Sequence, residues 1–127
     1  MPDKLPMSIL IVDDDPDARA IFRLVMNHHR LSATIVDNGE DALEYLQTHN
    51  PNIAIIDIFL PGLDGFHLLK QIQNASLALN SRFIATTAYY TSDTEHEAYE
   101  RGFHGFIKKP YDSAQLVPYL EQVLNSG

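Results

Sequence analysis

One stretch limits what this chain can fold into: Asn52-Ile53-Ala54-Ile55-Ile56-Asp57, followed at once by Ile58-Phe59-Leu60-Pro61-Gly62-Leu63-Asp64-Gly65. A short, unbroken apolar run rich in β-branched side chains reads as a strand covered on both faces. The run ends on a carboxylate, Asp57, and Pro61, Gly62 and Gly65 mark the turn that follows. A charge at the mouth of a buried strand needs a partner or a task. The expected task is nucleophilic: Asp57 accepts a phosphoryl group, a covalent role that carboxylates are known to fill. The rest of such a site has to come from distant parts of the chain.

The flanking sequence repeats the pattern. Ser8-Ile9-Leu10-Ile11-Val12 is another short apolar run, and it ends in Asp13-Asp14-Asp15. Asp15 is placed to cap a helix with Pro16 in its first turn, and Ala18, Ile21, Phe22 and Val25 recur at helical spacing. Leu31 to Val36 predicts a second strand, and Asp37-Asn38-Gly39 a turn. Glu40 to Thr48 predicts a helix burying Ala42, Leu43 and Leu46, closed off by Pro51. After Gly65 a third helix carries Phe66, Leu69 and Ile72 on one side. Arg82 to Thr87 predicts the fourth strand. The polar fourth helix is expected to start at the capping box Ser92-Asp93-Thr94-Glu95 and to stop near Arg101 and Gly102. With Ala98 and Tyr99 almost its only apolar residues, it has little to hold it and is expected to be mobile. Gly105 to Lys109 gives a fifth strand ended by Pro110. Asp112 caps a last helix that buries Leu116, Leu120, Val123 and Leu124. Pro118 is expected to kink that helix or shift its start, because it lacks a backbone donor.

Five alternations of strand and helix predict an α/β domain with a parallel sheet and helices on both faces. Covering two faces requires the strand order to reverse once, which opens a crevice at the carboxyl ends of the strands. The 127 residues suit a single domain over 1–127, with a core of about 8–125 and an N-terminal extension over 1–7. There are no cysteines, which excludes disulfides and thiolate metal sites. No run approaches the roughly 18 apolar residues that span a bilayer, and the start of the chain lacks the pattern of a signal peptide. The expected location is the cytoplasm, without membrane insertion. A formal net charge of -8 argues against direct nucleic-acid binding.

Parallel strands bring their carboxyl ends to one edge. Asp13 and Asp14 end the first strand, Asp57 the third, Thr87 the fourth and Lys109 the fifth. Three carboxylates repel unless they share an opposite charge. An oxygen-only donor set suits Mg²⁺, and a lysine ammonium and a threonine hydroxyl suit phosphate oxygens. Each residue alone has an ordinary reading: an acidic helix start, a turn-forming aspartate, a strand-end threonine, a solvated lysine. Their convergence on one edge favours a functional cluster.

These residues carry a family resemblance. Ile11-Val12-Asp13-Asp14-Asp15-Pro16, Ile56-Asp57 through Leu60-Pro61-Gly62-Leu63-Asp64-Gly65, Thr87-Ala88 and Lys109-Pro110-Tyr111 together resemble the receiver domain of two-component response regulators, over roughly residues 8 to 125. The resemblance implies a doubly wound, flavodoxin-like fold with strand order 2-1-3-4-5. It implies that Asp57 is the phosphoacceptor, served by a histidine kinase or a histidine phosphotransfer protein. It makes Asp13 and Asp14 the acidic pair that holds Mg²⁺ with Asp57, and gives Phe59 the backbone carbonyl that completes the metal site. It makes Thr87 and Lys109 the groups that contact the phosphoryl oxygens, and Thr87 and Phe106 the switch residues. The family's switch moves Thr87 toward the phosphate and turns the aromatic inward. That remodels the surface of helix four, strand five and helix five toward a downstream protein target or a covalently linked output domain.

Phe59 and Tyr89 each lie two residues past a site residue, at positions that flank the path of the hydrolytic water in the family. Two large side chains there are expected to slow loss of the phosphoryl group. Of the six histidines, none has convincing metal-ligand spacing. An aspartate-based phosphatase of the haloacid-dehalogenase kind would place a second aspartate where Phe59 stands, and would carry a cap insertion. The expected role is therefore a switch that catalyses only its own phosphorylation and autodephosphorylation. A receiver-like scaffold that takes no phosphate is the alternative.

Overall fold

The computed structural model describes residues 7–126. Ten elements alternate: β1 (Ser8–Val12), α1 (Pro16–His28), β2 (Ser32–Val36), α2 (Gly39–Leu46), β3 (Ile53–Asp57), α3 (Gly65–Asn74), β4 (Arg82–Thr87), α4 (Ser92–Arg101), β5 (Gly105–Lys108) and α5 (Ser113–Asn125). The five strands form one sheet in the order β2-β1-β3-β4-β5, and every pair is parallel. The expected doubly wound sheet is present, with its order reversing beside β1.

The continuous apolar strands feed two cores, one on each face. Leu10, Val12, Ala54, Ile56, Phe83 and Ala85 point to the side covered by α2, α3 and α4. Ile9, Ile11, Ile53, Ile55 and Ile84 point to the side covered by α1 and α5. A one-residue alternation along each strand thus supplies both cores. Met7 is buried in the second core, so the seventh residue belongs to the domain and not to an extension. Residues 1–6 of the expected extension lie outside the described residues.

The helix starts follow capping chemistry. Asp15 accepts from Asp17 N, Asn38 from Asp41 N, Asp64 from His67 N and Asp112 from Ala114 N. The α4 start corrects the expected capping box. Thr91, not Ser92, is the cap, and its hydroxyl oxygen accepts from Thr94 N at 3.0 Å. Two overlapping hydroxyl patterns lie one residue apart, and the extended backbone at Thr91 selects the earlier one. Helix α5 starts beside Asp112 and runs through Pro118, so the proline does not shift its start.

The apolar stripes are rolled slightly from expectation. Met26 is buried on α1 in place of the half-exposed Ile21, and Leu68 on α3 in place of Phe66. Leu43 and Leu124 are likewise half-buried, packed at the margins of the cores. Helix α4 buries Ala98 alone. Gln73 Nε2 donates to Arg101 O at its end, and the Arg101 guanidinium lies 4.8 Å from the Phe66 ring centre.

At the far edge, among the described residues, β5 pairs with β4 only. Its Phe106 N–H donates to Tyr119 Oη of α5 at 2.8 Å. Gly105 leaves the space for that hydroxyl, since a Cβ there would stand 2.7 Å from Tyr119 Oη.

Gly65 is tighter still. A Cβ at this first residue of α3 would lie 2.6 Å from both Asp57 O and Ile58 Cα. Those are backbone atoms, which cannot step aside. Gly65→Ala is therefore expected to destabilise the fold by about 1–3 kcal/mol, the usual cost of overpacking. Urea denaturation of the two proteins checks this, and an unchanged midpoint would contradict the close approach.

Candidate functional site

The crevice lies at the carboxyl edge of β1, β3, β4 and β5, beside the point where the strand order reverses. Asp13 follows β1 and is 0% exposed. Asp57 closes β3 and is 5% exposed. Lys109 follows β5, and its backbone N–H donates to Thr87 O, which extends the sheet pairing by one residue and aims the side chain inward. Lys109 Nζ then lies 2.8 Å from Asp57 Oδ2, and 3.0 Å and 2.9 Å from Asp13 Oδ1 and Oδ2. One ammonium thus joins two acids from different strands.

Backbone donors orient both carboxylates. Asp15 N–H donates to Asp13 Oδ1, and Phe59 N–H donates to Asp57 Oδ1, both at 2.9 Å. Burial raises the Asp13 pKa, and the Asp15 N–H and the Lys109 ammonium only partly oppose it. Burial acts on Lys109 to lower its pKa, but its bonds to Asp57 and Asp13 together outweigh this and the net shift is upward. The lysine is thus held as a cation by the acids it joins.

Asp14, by contrast, is exposed at the mouth. Ligand oxygens of Asp13, Asp14 and Asp57 all lie within 4.8 Å of one another. This hard, oxygen-only set, with one member open to water, fits Mg²⁺ and does not fit a soft thiophilic metal.

Thr87 lies at the end of β4 and is fully buried. Its Oγ1 accepts from Tyr89 N–H at 2.9 Å, and among the described residues it makes no hydrogen bond to the acids or to Lys109. Phe106 is already inward. It packs in the α2–α3–α4 core, edge-on to Tyr90 with ring centres 5.9 Å apart. Phe59 and Tyr89 are 51% and 72% exposed, and their rings meet at right angles with centres 5.6 Å apart. The β3–α3 and β4–α4 loops therefore touch through these two rings.

Two residues of this edge carry no role in the sequence reading, although Tyr111 lies within one of its motifs. Thr86, the residue opposite Asp57 in the β3–β4 register, is buried, and its hydroxyl lies 3.0 Å from Tyr111 Oη. Tyr111 in turn donates to Asp13 Oδ2 at 3.3 Å. Burial, foremost, pushes the Tyr111 pKa up, so the hydroxyl keeps its proton. The signal was present in the sequence: two adjacent threonines on a buried strand must face opposite ways, and the one turned from the crevice still needs a polar partner.

Comparison with known proteins agrees with this geometry. The model of the response regulator receiver domain matches residues 9–121. The chain is 31% identical to an uncharacterized 14.6 kDa protein in the sodA1 3′ region of Leptolyngbya boryana, over 91% of this chain and 88% of that one. It is 32% identical to the DNA-binding transcriptional regulator NtrC of Escherichia coli K12, over 92% of this chain but only 24% of NtrC. The chain thus spans about a quarter of that longer relative. A putative response regulator from Chloroflexus aurantiacus superposes with a TM-score of 0.87 at 27% identity, covering 96% of this chain and all of that one. The receiver domain of the sensor histidine kinase PA1611 of Pseudomonas aeruginosa superposes with a TM-score of 0.85 at 22% identity, covering 96% of this chain and 100% of that one. In that crystal structure a magnesium ion is coordinated in the active-site cleft. On its sequence, its sheet topology and the acids at its carboxyl edge, this chain belongs to the response regulator receiver domain family.

Proposed function

We propose that the chain is a phosphorylation switch of a two-component or phosphorelay system, with residues 8–125 acting as one receiver unit. The observation that carries this reading is the Lys109 ammonium shared by Asp57 and Asp13 at the crevice. In the proposed step an Asp57 carboxylate oxygen attacks the phosphorus of a phosphohistidine on a histidine kinase or phosphotransfer protein. A P–O bond to Asp57 forms as the P–N bond to the donor breaks, and the imidazole leaves with the electron pair. Asp13, Asp14, Asp57 and the Phe59 carbonyl would hold Mg²⁺, which when bound supplies positive charge to acids and phosphoryl oxygens alike. Lys109 would follow a phosphoryl oxygen on Asp57, loosening its hold on Asp13. Thr87 reaches the group by giving up its bond from Tyr89 N–H, so its movement is coupled to the β4–α4 loop.

The chain's own catalysis then extends only to its phosphorylation and autodephosphorylation. Helix α4, with Ala98 as its single buried residue, is the element whose population a few kcal/mol of differential contact would shift. Phe106 already lies in the core, so we expect Thr87 and α4 to carry more of the signal than this ring. The altered α4–β5–α5 surface would act on a protein target or a linked output domain. The net charge of -8 supports a protein reader of this unit over direct nucleic-acid contact. No helix among the described residues is long and apolar enough to cross a membrane, and a cytoplasmic site of action fits a kinase partner.

Three outcomes test the proposal. After incubation with acetyl phosphate and Mg²⁺, intact-mass measurement is expected to find one added phosphoryl group on the wild type and none on Asp57→Asn. Labelling of both, or of neither, would rule Asp57 out as acceptor. Free Mg²⁺ at about 100 times its Kd should add about 2.7 kcal/mol of stability, seen as a higher Tm, and Asp14→Ala should lose most of that gain. Equal shifts in the two proteins would place the metal elsewhere. The paired rings of Phe59 and Tyr89 predict slow hydrolysis. Phe59→Asn and Tyr89→Glu should each shorten the phosphoryl lifetime severalfold, and unchanged decay would remove the rings from any shielding role.

A further inference from the structure

The hydroxyls of Thr86 and Tyr111 form a one-way chain into the acid cluster. Tyr111 Oη–H donates to Asp13 Oδ2, which leaves the Tyr111 oxygen to accept from Thr86. Thr86 is 0% exposed, so its hydroxyl is a buried donor for which this oxygen is the partner. The Tyr111 ring packs on Phe22 of α1, with ring centres 4.5 Å apart. Its direction toward Asp13 is therefore set by both neighbours, Phe22 through the ring and Thr86 through the hydroxyl. Asp13 Oδ1 is meanwhile held by the Asp15 N–H. Among the described residues the remaining partner of the Asp13 carboxylate is Lys109, a charge on a flexible stem that also serves Asp57.

A cation entering between the acids competes with that ammonium for Asp13. When Lys109 shifts toward a phosphoryl oxygen, the Asp15 N–H and the Tyr111 hydroxyl are what keep the carboxylate in place. We propose that Tyr111, aligned by Thr86, is a positioning residue for the Mg²⁺ site, fixing the Asp13 carboxylate for the metal independently of Lys109. This rests on the reading of Asp13 as a metal ligand. A hydrogen bond to the outer side of a metal-binding group commonly changes metal affinity 10–100-fold, and for this long, neutral bond the lower end applies, about tenfold.

The test is isothermal titration calorimetry with MgCl₂ and no phosphodonor, on the wild type, Tyr111→Phe, Thr86→Val, Thr86→Ser, the Tyr111→Phe/Thr86→Val double variant and Asp14→Ala. Tyr111→Phe keeps the ring on Phe22 and is expected to bind Mg²⁺ about tenfold more weakly. Thr86→Val should also bind more weakly, Thr86→Ser should match the wild type, and the double variant should be no weaker than Tyr111→Phe alone. A packing role without positioning would lower the metal-free Tm and leave the Mg²⁺ Kd unchanged, which overturns the inference. Should Tyr111→Phe fail to fold, the contrast between Thr86→Val and Thr86→Ser decides alone. Equal Mg²⁺ binding by the wild type and Asp14→Ala overturns the metal reading and the inference with it. Loss in Asp14→Ala with wild-type Kd in the Thr86 and Tyr111 variants overturns the inference only.

Discussion

The ion contact between Lys109 and the two buried acids sets the terms for the whole carboxyl edge. Asp13 and Asp57 end neighbouring strands, and Coulomb repulsion between two such groups out of water is severe. The ammonium arrives from beyond β5, two strands away from β3, and joins both within 3.0 Å. Removing one partner of such a set leaves an uncompensated buried charge, so the cluster resists piecemeal change. It also remains responsive, because an ammonium can be redirected by any new anion placed between the same strands.

The strand order makes this contact possible. Placing β1 between β2 and β3 sends successive crossovers to opposite faces, and the loops after β1 and β3 part at the crevice. The tight approach of Gly65 to the Asp57 carbonyl then brings α3 directly behind β3. The Phe59 N–H, emerging from that turn, is aimed at Asp57 Oδ1. The Asp57 carboxylate is thus oriented by a backbone N–H on one oxygen and by the Lys109 ammonium on the other.

Much of this was legible from residue order alone. Apolar runs of strand length, each ending at a polar residue, disclosed the parallel sheet, and the polar ends named Asp13, Asp14, Asp57, Thr87 and Lys109. Helix orientation was less legible. Ile21 and Phe66 fit the helical period of their stripes, yet Met26 and Leu68 are buried in their place, because the roll of a helix is set by its neighbours. The α4 cap turned on which of two adjacent hydroxyls the loop backbone favoured. The Thr86–Tyr111 link spans 25 residues and joins two motifs each read separately, so only the packing of β4 against the β5–α5 turn reveals it.

The hydroxyl of Tyr119 on the Phe106 N–H has a consequence for assembly. An edge strand with open backbone donors is a template on which another chain can extend the sheet. Here a side chain from α5 occupies a donor in the middle of a four-residue edge strand, and Gly105 is shaped to admit it. Sheet-to-sheet addition along β5 is thereby obstructed, both as a route to aggregation and as a mode of recognition. Contacts made along this side are thereby left to side chains.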